Sequence, residues 1–187
     1  MRKPFLAICL LSLSVSTLAQ PFSTWKNEYE ANKEFFKDLE ILSGTANQIS
    51  DARKELIKNH GFEKSRKQIE FYDEYERQFR DIYGATIVLT STLWISLDQR
   101  GLEKSTLMFL TDQVCSYMPT IYVNSFRKPT DKGLEIEQTA VLGWGRETKA
   151  DLKITTKILE GIKVAHKAKN YFFHTCERTR KEDNWRR

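Results

Sequence analysis

Apolar positions in the first third of the chain recur at steps of three and four, the spacing that places side chains on one face of an α-helix. The first such stripe predicts a helix over roughly Ser23–Leu42, which the pair Ser43-Gly44 should end. A second stripe runs from Ile49 to Ile57 and closes with Asn59-His60-Gly61, a sequence typical of a helix C-cap with glycine in the left-handed conformation. Together the two elements predict a helical hairpin.

The longest apolar stripe begins at Glu63 and keeps one face for more than three heptads. Its members are Tyr72, Tyr75, Phe79, Ile82, Thr86, Leu89, Leu93 and Ser96. Segment 85–97 is dense in Thr, Ile and Val, so a buried strand competes with a helix there. We predict a helix, because the spacing passes through Gly84 without a change of phase. Its second half is apolar on most sides and should be the central, buried element.

The middle of the chain has weaker signals. A stripe over Leu107–Ile121 predicts a fourth helix that Pro119 must kink or end. Residues Tyr122–Gly133 are rich in turn-forming types and predict the longest loop. Segment 134–142 is compatible with either a short helix or a strand. We expect Gly143-Trp144-Gly145 to form a turn with an aromatic plug.

A final amphipathic stripe predicts the last helix, over roughly Arg146–Arg178. The 187 residues include only eight Gly and four Pro, which argues against a barrel or sandwich with many tight turns. We therefore predict an all-α fold, a single helical-bundle domain of about five main helices over residues 20–178. A basic tail over residues 179–187 should follow it.

The first 19 residues carry an export signal. Arg2 and Lys3 precede an apolar stretch, Phe5–Leu13, and small and polar residues follow it up to Ala19. This order is typical of a secretory signal peptide cut after Ala19. The apolar stretch is well short of the roughly 20 residues that a spanning helix needs. We expect an exported protein, periplasmic or secreted.

Loss of that leader would remove Cys9 and leave two cysteines, Cys115 and Cys176. An even pair in an oxidising compartment predicts one disulfide, and a reactive thiol is the alternative. The bond would close a loop that the chain-entropy description credits with roughly 3 to 4 kcal/mol.

Charge is unevenly distributed along the mature chain. Residues 20–145 carry a net −3 and residues 146–187 a net +6. The small overall excess gives no reason to expect nucleic acid, whereas basic residues interleaved with aromatics suit an acidic protein or an anionic membrane surface. The same pattern also describes an ordinary solvated helix face. The candidate partner-binding residues are Lys163, Lys167, Lys169, Arg178, Arg180, Lys181 and Trp185.

Motifs for metal, cofactor or nucleophilic chemistry are not found in the sequence. His166 and His174 are eight positions apart, about 12 Å along a helix, too far to share one ion. Carboxylates cluster between Glu70 and Glu76, but on an amphipathic helix they should lie mainly on the solvated side. We therefore predict no metal, no cofactor and no catalytic residue.

These observations favour a binding protein over an enzyme. We expect an exported protein-binding module, either an immunity or inhibitor protein or an accessory subunit of an envelope complex. One alternative is a small enzyme acting on an envelope polymer, with acids of the third helix and His166 or His174 as its acid–base pair. Another is a peripheral binder of anionic membrane through the basic last helix.

Overall fold

The structure is a computed structural model that describes residues 30, 33–98, 109, 112–116 and 129–184. All regular secondary structure in these ranges is helical, without a strand, so the predicted all-α bundle of five helices is confirmed. Segment 112–116 belongs to one of the five. The four long helices are α1 (Lys33–His60), α2 (Phe62–Asp98), α3 (Asp131–Glu147) and α4 (Leu152–Asn184).

Helices α1 and α2 form a hairpin that turns at Gly61. The predicted hairpin, with its turn at Ser43-Gly44, is wrong because its two predicted helices run together in α1. Gly61 has a φ of 78° and its N–H donates to the Ile57 carbonyl at 2.8 Å, as the C-cap sequence predicted. The predicted end at Ser43-Gly44 is wrong, because α1 continues through this pair. Leu42 and Ala46 are fully buried on either side of Gly44, so packing of one continuous apolar stripe outweighs the helix-weakening effect of a single glycine.

Helix α2 is unbroken, which confirms the helical prediction for segment 85–97. The prediction that its second half is buried on most sides is wrong, because Ile87 and Val88 are 38% and 42% exposed. Phe79, Ile82 and Leu89 are fully buried in its core-facing stripe. Thr86 is buried among them, and its hydroxyl is satisfied because it donates to the Ile82 carbonyl at 2.8 Å. The three-four spacing of apolar residues therefore predicts the secondary structure of this segment correctly, although β-branched residues, which favour strands, are dense in it.

Helix α3 begins earlier and ends later than the sequence indicated. Thr130 is its N-cap and accepts a hydrogen bond from the Gly133 N–H, so the end of the predicted loop is the first helical turn. The remainder of that loop, residues 122–128, lies outside the described residues. Segment 134–142 is helical. The turn predicted at Gly143-Trp144-Gly145 is wrong, because these residues continue α3.

The real break between α3 and α4 lies at residues 148–151. Lys149 has a φ of 57°, and its N–H donates to the Arg146 carbonyl at 3.1 Å. The Ala150 N–H donates to the Gly145 carbonyl at 2.9 Å, which completes a Schellman motif with lysine at the left-handed position. This cap ends α3 after Glu147, so the last helix cannot begin at Arg146 as predicted.

Helix α4 starts at Leu152, where the Asp151 side chain accepts a hydrogen bond from the Ile154 N–H at 3.0 Å. It extends to Asn184, beyond the predicted end at Arg178. The helix packs against all three other long helices. It is thus the element that joins the α1–α2 hairpin to α3.

The predicted disulfide between Cys115 and Cys176 is confirmed. Its Cα atoms are 5.6 Å apart, and both residues are buried. The bond ties segment 112–116 to the C-terminal half of α4. It therefore fixes a part of the chain that is 61 residues away in sequence.

Candidate functional site

The surface of α4 that points away from the bundle carries two of the predicted basic residues, Lys163 and Lys167, together with Lys153. Lys153, Lys163 and Lys167 are exposed on the solvated side of the helix, and we call these three residues the α4 lysine face. They span about 21 Å along the helix axis. Glu160 is also exposed, but its carboxylate accepts a hydrogen bond from Lys157 at 2.8 Å. Counting Lys157 and Glu160, this side of the helix carries four lysines and one glutamate, so its net charge is positive.

Two of the sequence candidates belong to this face. Lys163 is exposed, and Lys167 keeps 62% of its side chain exposed although its Nζ lies 3.4 Å from the Asp38 carboxylate of α1. An exposed pair of this kind contributes little to stability and competes with water. Both amines can therefore reach a partner.

Lys169 does not belong to the exposed set, and in this respect the sequence candidate is wrong. It is only 8% exposed, and its Nζ lies 3.9 Å from the Glu137 carboxylate of α3. Its register explains the burial, because it shares the apolar stripe of Ile162, Ala165 and Phe172. That stripe is visible in the sequence and was the signal that should have removed Lys169 from the candidates.

The Glu137 carboxylate also affects a buried tyrosine of α2. Burial raises the pKa of Tyr75 well above its usual value of 10.0, and the negative charges of Glu137 and Glu74 raise it further. The Tyr75 hydroxyl therefore stays protonated at neutral pH. The Lys169–Glu137 pair joins α4 to α3, and the Glu137 charge also acts on Tyr75 of α2.

The remaining candidates lie at the end of α4. Arg178, Arg180 and Lys181 belong to its last turns, so the helix continues through the basic segment. Their side chains, and Trp185 as a whole, lie outside the described residues. Their role in binding stays a prediction.

A charged groove of about 500 Å³ runs along the contact between α1 and α2. Arg53 of α1 pairs with Asp73 and with Glu76 of α2, where its Nη2 lies 3.5 Å from Glu76 Oε2. Arg80 donates to the other Glu76 oxygen at 3.1 Å. The Glu76 side chain is only 12% exposed, so the prediction that these carboxylates are solvated fails at this residue. This groove is a structural ion-pair seam.

A second groove, of about 670 Å³, lies where the C-terminal half of α1 meets Tyr72 and the start of α4. The Tyr72 hydroxyl accepts a hydrogen bond from the Asp151 N–H at 3.1 Å and so closes its floor. Burial raises the pKa of Tyr72; the bond from the Asp151 backbone opposes this shift, and the Asp151 charge adds to it. The groove residues with ionisable side chains are Asp51, Glu55, His60, Tyr72, Asp151, Lys153 and Lys157.

Sequence reasoning did not find this second groove. It forms because Tyr72 and Asp151, 79 positions apart, meet through the packing of α2 against the α3–α4 turn. No spacing within a single helix carries that information. Lys153 belongs both to this groove and to the α4 lysine face, so the two features are adjacent.

The acid–base pair of the enzyme alternative is not assembled. Asp73 and Glu76 of α2 pair with Arg53 of α1, and Glu70 and Glu74 pair with arginines of α2 itself. His166 instead lies 3.9 Å from Asp131 of α3, and His174 is exposed on α4. Among the residues that the structure describes, no group of three His, Cys, Asp or Glu side chains is arranged to hold a metal ion.

The fold and this surface define a class of protein, a disulfide-linked all-α bundle with a cationic face on its last helix. Within the described ranges, no helix has both the length and the apolar character required to cross a bilayer. Comparison with protein-family models, curated proteins and solved structures gives no match for this chain.

Proposed function

We propose that the chain is an exported protein-binding module whose α4 lysine face recognises an acidic surface on another protein. One observation carries the proposal: Lys153, Lys163 and Lys167 are exposed on the same side of a single helix, and the acid between them is bonded to Lys157. Charge complementarity of this kind raises the rate of association and selects among partners.

The rest of the bundle supports a binding role. α4 is anchored on three helices and, near its C-terminal end, by the Cys115–Cys176 bond, so its exposed face is held in one shape before any partner arrives. Such preorganisation reduces the entropy lost on binding. An immunity or inhibitor protein and an accessory subunit of an envelope complex both require a rigid docking face. Export itself depends on the signal-like residues 1–19.

The test is affinity capture from envelope extract with the mature, oxidised protein as bait. We expect retention of a partner that weakens with added salt and is lost in the triple variant Lys153→Glu, Lys163→Glu, Lys167→Glu. The matched control carries the same charge change at Lys58, Lys64 and Lys67, which are exposed near the α1–α2 turn. Circular dichroism should show both variants folded. Equal retention by the two variants, or no retained protein, contradicts the proposal.

Anionic membrane is the competing target of the same basic surface. Sedimentation with vesicles of anionic lipid at low salt separates the two. We expect the mature protein to stay in the supernatant. Pelleting that is lost on removing residues 178–187, with no protein captured from extract, would replace the protein partner by a membrane surface.

A further inference from the structure

Helix α3 lies at the edge of the bundle and packs mainly on α4. Its inner side carries Val141, which is fully buried, and Trp144. The centroids of the Trp144 and Phe71 rings are 5.3 Å apart. Its outward side is exposed and uncharged over two turns. We call this surface the α3 outer face; it consists of Ile136, Thr139, Ala140 and Gly143.

Ile136 is 61% exposed at the N-terminal end of this face. Single exposed apolar residues are normal on a protein surface. Here, however, the neighbours on the same face are small: Thr139 and Ala140 lie one turn away and Gly143 two turns away, so Ile136 projects beside a flat strip. A projecting aliphatic side chain next to a shallow strip is the geometry by which one helix packs on another.

Within the described part of the chain, no contact explains the glycine at position 143. Glycine in a helix interior costs about 1 kcal/mol relative to alanine. At Gly145 and Gly161 the structure shows the reason, because a Cβ there would lie 3.2 Å from Thr155 and 2.7 Å from Phe79. A Cβ at Gly143 would meet nothing within 4 Å. The space above Gly143 is thus open from the outside of the molecule.

We propose that the α3 outer face pairs with the same face of a second copy of this chain, with the two helices antiparallel. A two-fold axis between Thr139 and Ala140 places Ile136 of each copy opposite Gly143 of the other copy. The aliphatic side chain then occupies the space that glycine leaves open. This is an isologous contact, in which one patch serves both subunits.

The charges at the ends of the face match the same register. Lys132 lies opposite Glu147 of the second copy, and Glu135 lies beside Arg146 of the second copy. All four side chains are exposed, and in the described part of the chain neither Lys132 nor Glu147 is within ion-pair distance of an opposite charge. A parallel pairing would place like charges together. Charge complementarity therefore selects the antiparallel arrangement.

The expected dimer is weak and depends on concentration. α3 has 17 residues, a length of about 25 Å. A contact through one such helix falls below the roughly 1,200 Å² of a standard interface, in the range of transient assemblies. Association should therefore be seen as a shift with protein concentration rather than as a permanent dimer.

The main experiment is sedimentation velocity of the mature, oxidised protein over a concentration series. Lys132→Glu and Glu147→Lys should each raise the dimer dissociation constant by about tenfold or more, because like charges then face each other. The double variant exchanges the two charges and should restore the dimer. Lys58→Glu, far along the chain from α3, is the matched control and should leave it unchanged.

A second variant distinguishes the contact from a fault in folding. Gly143→Ala should raise the melting temperature of the monomer, since alanine favours the helix, and yet weaken the dimer, since the methyl group fills the space for Ile136. Ala140→Cys, next to the axis, should form a disulfide-linked dimer on oxidation, whereas Lys58→Cys should not. A monomer at every concentration, or a dimer indifferent to the charge exchange and to Gly143→Ala, would overturn the proposal.

Discussion

The contact between α1 and α2 and the contacts of α4 are built in opposite ways. α1 and α2 meet through large side chains on continuous stripes, with the arginine–carboxylate seam of Arg53 and Glu76 at the edge. α4 instead approaches its neighbours through glycines: Gly161 lies against the Phe79 ring of α2, and Gly145 of α3 lies against Thr155. The bundle thus combines a side-chain interface with a backbone interface.

The difference decides how each region should respond to mutation. Where side chains fill the gap between helices, neighbouring rotamers can adjust to a small change in volume. Where a glycine allows the helix backbone to come close, an added methyl group meets an aromatic ring or a threonine side chain directly. The contacts of α4 should therefore be the more sensitive of the two. The covalent bond at Cys176 strengthens the same region.

The largest expected effect comes from breaking that bond. The double variant Cys115→Ser, Cys176→Ser should lower the free energy of unfolding by about 3 to 4 kcal/mol, because the unfolded chain regains the entropy of a long loop. Denaturant titration of the oxidised protein and the variant measures the loss. An unchanged midpoint would show that α4 is held in place without the covalent bond.

The next effect compares the same substitution in the two regions. Gly161→Ala should cost about 1 to 3 kcal/mol, because its Cβ would lie 2.7 Å from the fully buried Phe79 ring. Gly44→Ala, in the interior of α1, should instead stabilise the protein by about 1 kcal/mol, since nothing lies within 4 Å of its Cβ. Thermal unfolding of both variants gives the two signs. Equal effects would contradict the close contact between Gly161 and the Phe79 ring.

The same distinction explains which parts of the fold can be predicted from sequence. The α2 stripe and the single disulfide depend on local periodicity and on counting cysteines, and both predictions are confirmed. A glycine in the sequence does not by itself indicate its structural role. It can end a helix, allow a close contact between helices, or stand at an exposed helical position. Gly61 was predicted correctly because helix-ending residues precede it. The sequence predicts breaks at Gly44 and at Gly143–Gly145, whereas in the structure both segments are helical.

The candidate site, like the fold, could be predicted in part from the sequence. Net charge located the basic element, and Lys163 and Lys167 lie on its exposed side. Helix register then removed Lys169, a result that the apolar stripe already indicated. The groove beside Tyr72 could not be predicted, because it depends on the packing of elements distant in sequence.

The smallest expected effect concerns Lys149, at the turn that ends α3 and separates it from α4. This residue has a φ of 57°, a conformation in which the Cβ of an L-residue is crowded by the backbone. Lys149→Gly should raise the free energy of unfolding by about 0.5 to 1 kcal/mol, since glycine is the preferred residue at the left-handed position of a Schellman motif. Thermal denaturation measures the gain.

The control for this change is Lys163→Gly, at an exposed position with helical conformation in α4. It should destabilise the protein by about 1 kcal/mol, because glycine weakens a helix interior. The Lys149 carbonyl, which accepts a hydrogen bond from Gln68 of α2 at 2.6 Å, is retained in Lys149→Gly, so the turn keeps its contact with α2. A loss of stability in Lys149→Gly would mean that its side chain, and not the strain in its backbone, determines how α3 passes into α4.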